Sequence, residues 1–271
     1  MQRLVPVALL ITILFALMGC PRQVPPPDNA IEDPQELRHA IDGRFAHVED
    51  ARFLNVVLDY FGDGERVRMR QLIAVQRPNR LLVQTRLPGS DEILNRLVSN
   101  GETFGLHNRD TNEYFTGAPT RENINRLLPV DLSGADVVRV MLGGAPWDRF
   151  DYEPGEPDLS WDRRRGEYEF KVATREGGTL SMFVRHTDFA VTGVLEINRA
   201  GDRVYEYTTG SWRTEDSLVL PRWRRFVWPD QDLDFSLDVG ETQLNVELPD
   251  QLFDFPPPPG SRIIHLEENR R

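Results

Sequence analysis

Cysteine and lysine are almost absent from this chain, and what is missing removes whole classes of chemistry. One cysteine, Cys20, in 271 residues leaves no disulfide to hold the fold together. The five histidines, at 39, 47, 107, 186 and 265, show no ligand spacing, and no HExxH, CxxC, P-loop or GxSxG motif occurs. Carboxylates such as Asp148, Asp151 and Glu153 belong to a chain with 43 acids, where such clusters arise by chance. No nucleophile, base and oxyanion donor stand in recognisable order. The residues therefore assign no catalytic or metal-binding role, call for no cofactor, and read as a non-enzyme. Positive charge is in deficit, 32 basic residues against 43 acidic for a net charge of −11, which excludes nucleic acid as the main partner. Nearly all of that positive charge is arginine, with Lys171 the single lysine, a bias we attribute to base composition. A membrane-spanning run is also missing: the longest apolar stretch, Leu4 to Met18, has about fifteen residues where a spanning helix needs roughly 20.

What is there begins with that same run. Met1-Gln2-Arg3 supplies one positive charge, the apolar stretch follows, and it closes in Leu17-Met18-Gly19-Cys20. This layout is that of a secretory signal, and its end resembles the lipobox of bacterial lipoproteins. The resemblance implies a signal peptide over residues 1–19, cleavage before Cys20, and a diacylated cysteine anchoring the protein to a membrane. Two or three acyl chains hold firmly where one binds reversibly, at about 0.8 kcal/mol per buried methylene. Pro21 stands where an inner-membrane retention signal would place Asp, which points to the outer membrane, facing the periplasm. Cleavage removes Arg3 and no acid, so 31 basic residues remain against 43 acidic, a charge of −12. Residues 20–33, with Pro21, Pro25, Pro26 and Pro27, read as a Pro-rich tether.

Residues 34–271 read as one domain, mainly β with a few helices. Asp33-Pro34 predicts a helix start, with Leu37 and Ile41 on one face. Turn signals every 8–14 residues or so predict an antiparallel meander in two sets of strands. The first set lies near 44–61, 65–77, 80–87, 97–107 and 112–116. The second lies near 158–164, 167–175, 179–186, 191–199, 202–212, 217–228, 232–239 and 242–247. Between the sets, Thr120 and Ser133 predict caps for helices over 121–128 and 134–142, and Gly143-Gly144 ends the latter. No second core is evident. Two segments are locally basic, Arg163-Arg164-Arg165 and Arg222-Trp223-Arg224-Arg225. They read either as solvated strand faces with Arg on Trp or as a docking patch for an acidic partner.

This order of elements, with several local signatures, resembles the LolA/LolB superfamily of lipoprotein carriers and receptors. Arg77-Pro78-Asn79-Arg80-Leu81-Leu82 is similar to its turn into a strand, here ending at Leu87-Pro88-Gly89, and Asn100-Gly101-Glu102-Thr103-Phe104 to its hairpin turn. The strand ending Phe115-Thr116-Gly117, the helix pair closing in Leu142-Gly143-Gly144, and Leu248-Pro249-Asp250-Gln251-Leu252-Phe253 before a proline run also match. The likeness extends over nearly all of 34–266. It implies a strongly curved antiparallel half-barrel lidded by short helices, with an apolar cavity for the acyl chains of lipoproteins or lipids, and a periplasmic carrier as possible partner. Leu82, Phe104, Leu106, Phe115, Leu127, Leu128, Val138, Met141, Phe170, Phe183, Tyr205 and Trp223 would line it. Ile93 or Leu94 would sit at the tip of an exposed loop, as in the receptors. A sixteen-carbon chain needs about 12 kcal/mol of transfer energy, or about 500 Å² of apolar lining. The alternative is an envelope scaffold of the same fold with a filled cavity.

Overall fold

The computed structural model describes residues 23–62, 64–86, 89–90, 92–128 and 130–266. The signal segment 1–19 and Cys20 lie outside the described residues. The first helix, α1 (Pro34–Gly43), leads to six strands: β1 (Asp50–Gly62), β2 (Glu65–Gln76), β3 (Arg80–Arg86), β4 (Ile93–Ser99), β5 (Phe104–Asn108) and β6 (Glu113–Gly117). Three short helices follow, α2 (Arg121–Asn125), α3 (Gly134–Met141) and α4 (Trp147–Asp151). The second set comprises β7 (Asp158–Asp162), β8 (Glu167–Ala173), β9 (Thr179–Arg185), β10 (Val191–Ile197), β11 (Arg203–Glu215), β12 (Leu218–Trp228), β13 (Leu233–Asp238) and β14 (Glu241–Leu244). A last strand, β15 (Arg262–His265), ends the described fold.

All strands join one curved, open sheet in the order β15-β6-β5-β4-β3-β2-β1-β13-β12-β11-β10-β9-β8-β7, with β14 on β1. The halves meet where β1 pairs β13 antiparallel, so the two meanders form one continuous sheet. Curvature has a local cause. At Asn55, with φ +52°, the β1–β2 register slips, and β1 passes from pairing β14 to pairing β13. A bulge of this kind bends a strand and increases its twist.

A sheet with one apolar face must cover it, and α1, α3 and α4 do so here. Leu37 and Ile41 of α1, Val138 and Met141 of α3, and Trp147 and Phe150 of α4 are buried in the same cluster as Phe53, Val56, Ile73, Val75, Leu81 and Val83 of the sheet. The caps are those the sequence predicts. Asp33 accepts from Gln35 N at 2.9 Å, Thr120 from Asn123 N at 3.3 Å, and Ser133 from Asp136 N at 3.1 Å. At the end of α3, Gly143 takes φ +76° and Gly144 N returns to Arg139 O at 2.8 Å, closing the helix as a C-terminal glycine does.

The structure departs from the sequence reading in five places. The first strand starts at Asp50, because 44–49 turn to bring Arg77 onto the Phe45, Ala46 and Val48 carbonyls. The strand expected over 97–107 is two, split by a turn that Asn100 closes by accepting from Glu102 N and Thr103 N. The helix expected over 121–128 stops at Asn125. Neither α4 nor β15, which pairs parallel with β6, was anticipated.

The fifth departure concerns the tether and the core. Residues 24–31 are docked rather than free: Val24 N donates to Arg163 O at 2.8 Å, Trp161 Nε1 donates to Val24 O at 2.9 Å, and Ile31 N donates to the Tyr168 hydroxyl at 3.0 Å. A second, smaller core exists on the sheet's outer face, where Leu248 and Phe253 cover Ala74, Leu82 and Val98. Buried Asp50 fixes that cover by accepting from Val246 N at 2.8 Å and Leu248 N at 3.1 Å.

Candidate functional site

Strand alternation decides which of the expected lining residues share a surface. Phe104, Phe170 and Tyr205 point from the sheet into the main core, where Val138 and Met141 of α3 meet them. Leu106, Phe115, Leu127 and Leu128 pack against the same core but are only half-buried.

Three expected residues lie elsewhere. Leu82 faces outward beneath Leu248 and Phe253, while its neighbours Leu81 and Val83 face inward. Phe183 lies outward under the Arg165 guanidinium, 3.8 Å from the ring centroid, with Met182 and Val184 inward. Trp223 borders an outer-face groove with Asp59, Phe61 and Arg225, with Phe226 inward. In each case both neighbours in sequence are large, and alternation alone leaves the phase open.

The expected loop tip also shifts. Ile93 and Leu94 open β4, half-buried, with Ile93 opposite Arg86. The described part of the turn before them is polar: Ser90 Oγ accepts from Glu92 N at 3.0 Å, and Glu92 pairs with Arg109 at 3.1 Å.

Of the eight aromatics that make two groups on the inner face, the expected lining named only Phe170 and Tyr205. Trp147, Phe150 and Phe170 meet edge to face, with centroids 5.6 to 6.4 Å apart. Tyr205, Tyr207, Phe226, Trp228 and Phe235 form a second group, with Phe226 and Phe235 stacked at 4.6 Å. The signal for Phe226 and Trp228 was their period-2 spacing, and for Phe235 its period-2 spacing with Leu237. Trp147 and Phe150 carried none, since α4 is only five residues long.

Charged groups tie α3 and α4 down. The Asp136 carboxylate is buried and accepts from the first amides of α4, Asp148 N at 3.2 Å and Arg149 N at 3.1 Å, while pairing with Arg139 at 2.7 Å. Burial, and then the nearby Asp148 charge, raise its pKa to about 6, against the pull of Arg139. Ser133 donates to Asp148 at 2.6 Å. Arg149, buried, bridges Asp131 and Glu196 of β10, the latter at 2.5 Å, and lies 4.2 Å from the Tyr205 ring centroid.

Two more arginines satisfy the carbonyls that end α3, where the helix dipole favours cations. Arg224, fully buried, donates to Met141 O at 2.6 Å, and Arg44 to Leu142 O at 3.3 Å and Gly143 O at 3.1 Å. On the other side, Arg38 clamps α1 to α4 through a two-pronged pair with Asp151, both bonds 2.7 Å, and lies over Trp147. Asp148 and Asp151 are therefore held in ion pairs of the lid.

The inner face is thus covered and packed under α3 and α4. A groove of about 930 Å³ opens elsewhere, lined by Leu54, Val57, Arg68, Arg70, Leu72 and Arg86, which alternate with core-facing residues, together with Met69 and the turn at Gly89 and Ser90.

A curved open sheet lidded on its apolar face by short helices is a LolA/LolB-like fold. Three solved structures share it, each at low identity. A DUF1329 family protein from Desulfovibrio piger aligns over 81% of this chain and 95% of its own, at 14% identity and a TM-score of 0.59. A LolA superfamily protein from Nitrosomonas europaea aligns over 83% and 99%, at 12% identity and a TM-score of 0.58. An outer-membrane lipoprotein-sorting protein domain from Vibrio parahaemolyticus aligns over 81% and 94%, at 8% identity and a TM-score of 0.55. No family model matches the chain, and no curated protein does.

Proposed function

We propose that the protein is a non-enzymatic lipoprotein of the cell envelope, anchored in the outer membrane by lipid on Cys20. It receives an acyl chain of a lipoprotein or lipid on the inner face of its sheet, and a periplasmic carrier delivers that cargo. The observation carrying this is the apolar inner surface from Phe104 to Tyr205, closed by a lid that is fixed on one side and only half-buried on the other, at Leu127 and Leu128. The description of the Vibrio parahaemolyticus neighbour as a lipoprotein-sorting protein domain agrees with it. Entry of a chain requires the 121–128 side of the lid to swing away, since the α3–α4 side, with Asp131 tied to Arg149, is packed.

A second reading, a scaffold with a filled interior, is favoured by one specific observation. Val138, Met141, Leu142 and Trp147 already fill the space beneath the lid, each with at most 3% of its surface exposed. Native mass spectrometry of the full chain extracted from membranes separates the two. Co-purified lipid, or uptake of an acylated fluorescent probe in competition with it, supports the receptor. Absence of both, with the anchor intact, leaves the scaffold.

A further inference from the structure

The docking of residues 24–31 has a consequence for how the domain meets its membrane. Val24 is stitched to the β7–β8 hairpin through Arg163 O and the Trp161 indole, and sits against Gly166, where a Cβ would lie 3.1 Å from its side chain. Only three residues lie between Cys20 and Val24, so the four steps span at most about 14 Å. If Cys20 is lipidated, as proposed above, the tip of this hairpin lies within that distance of the bilayer surface.

The tip carries Arg163, Arg164 and Arg165, all exposed. The acids nearby do not pair with Arg163 or Arg164. Asp162 accepts from Arg164 N at 2.7 Å and Arg165 N at 3.1 Å, shaping the turn, and Glu167 accepts from Thr192 Oγ1 at 2.9 Å. Arg165 lies over Phe183 and pairs with Asp162 at 3.7 Å, while no ion pair of Arg163 or Arg164 occurs among the described residues. A concentrated positive tip in a protein with a net charge of −11 fits a negatively charged surface held against it. We infer that Arg163 and Arg164 bind anionic phospholipid headgroups of the membrane that holds the anchor, setting the domain's orientation there.

The test reconstitutes the full lipidated chain in vesicles of phosphatidylcholine alone, or with about a third phosphatidylglycerol, and follows amide exchange. We expect exchange over 163–166 to slow about tenfold with phosphatidylglycerol only. The effect should shrink in 1 M salt, where the screening length falls to about 3 Å. R163Q/R164Q should abolish it, while the turn at 199–201 stays unchanged throughout. Equal exchange in both vesicles, or slowing that survives R163Q/R164Q, overturns the inference. So does slowing that appears only when other membrane proteins are added, which would assign the tip to an acidic protein partner. Intact mass reports the lipid on Cys20 separately. If that lipid is missing, protection by phosphatidylglycerol vesicles added to the chain still sustains the headgroup contact, and its absence overturns it.

Discussion

The two sides of the lid differ in what holds them. On one side α3 and α4 are bound to the sheet by Arg149, Arg224 and Arg44 and to each other by Asp136, with Trp147 and Phe150 buried below. On the other side α2 is a five-residue helix held by Ile124, by Asn123 donating to Ala118 O at 3.1 Å, and by its Thr120 cap. The turn after it rests on the core through half-buried Leu127, Leu128 and Val130. Local opening draws on regions with few buried contacts. The difference therefore locates any movable part of the lid at 121–128, because beyond it Asp131 is held by Arg149 and Leu132 is buried.

The contrast breaks first at Arg149. Truncation in R149A leaves half-buried Glu196 without its cation and Asp131 with Arg121 alone, at 3.4 Å, and unpairing of this kind costs about 3–5 kcal/mol. Denaturant unfolding should show a loss in that range, and one below about 1 kcal/mol would mean that the tied side is no tighter than the other. Asp136 gives the next largest effect. Its carboxyl titrates near pH 6 in the folded chain against an ordinary 3.8, so the folded state holds an extra proton between those values. The stability from this group is full below 3.8 and lost as pH rises through 6. The loss is on the order of 3 kcal/mol. D136N should flatten the stability profile between pH 4 and 6, and a profile identical to the parent's would remove Asp136 from the account. On the loose side, L128A removes a half-buried side chain and should cost about 1 kcal/mol. A loss matching R149A would erase the distinction.

What the sequence disclosed of this arrangement follows from the physics of each signal. Caps at Asp33, Thr120 and Ser133 and the glycine stop after α3 are local chemistry, and they were legible. The single curved sheet was legible from turn spacing and from the family likeness. The inner surface was legible only in part. Phe104, Phe170 and Tyr205 were placed with the core, but Leu82, Phe183 and Trp223 lie on the other face, because a strand apolar on both faces does not reveal its phase. The ties that make one side of the lid rigid were hidden altogether. Arg149, Glu196 and Arg224 are far apart in the chain, and in a sequence this rich in arginine and acid they look like surface charge.

The smallest effect sharpens the comparison most, because it reads both sides in one experiment. Backbone amides of α3 and α4 should exchange only with global unfolding, since their lid segment is held through buried charges and aromatic packing. Amides over 121–128 should exchange faster by local opening, a difference of about tenfold for each 1.4 kcal/mol separating the two openings. Adding an acylated ligand that enters beneath the lid should slow 121–128 and leave 134–151 unchanged. If ligand slows neither segment while remaining bound, the acyl chain sits elsewhere, and the groove between Leu54 and Arg86 becomes the place to look. If ligand loosens 134–151 instead, the tied side is the one that moves, and the buried ion pairs of Arg149 hold the lid shut until cargo displaces them.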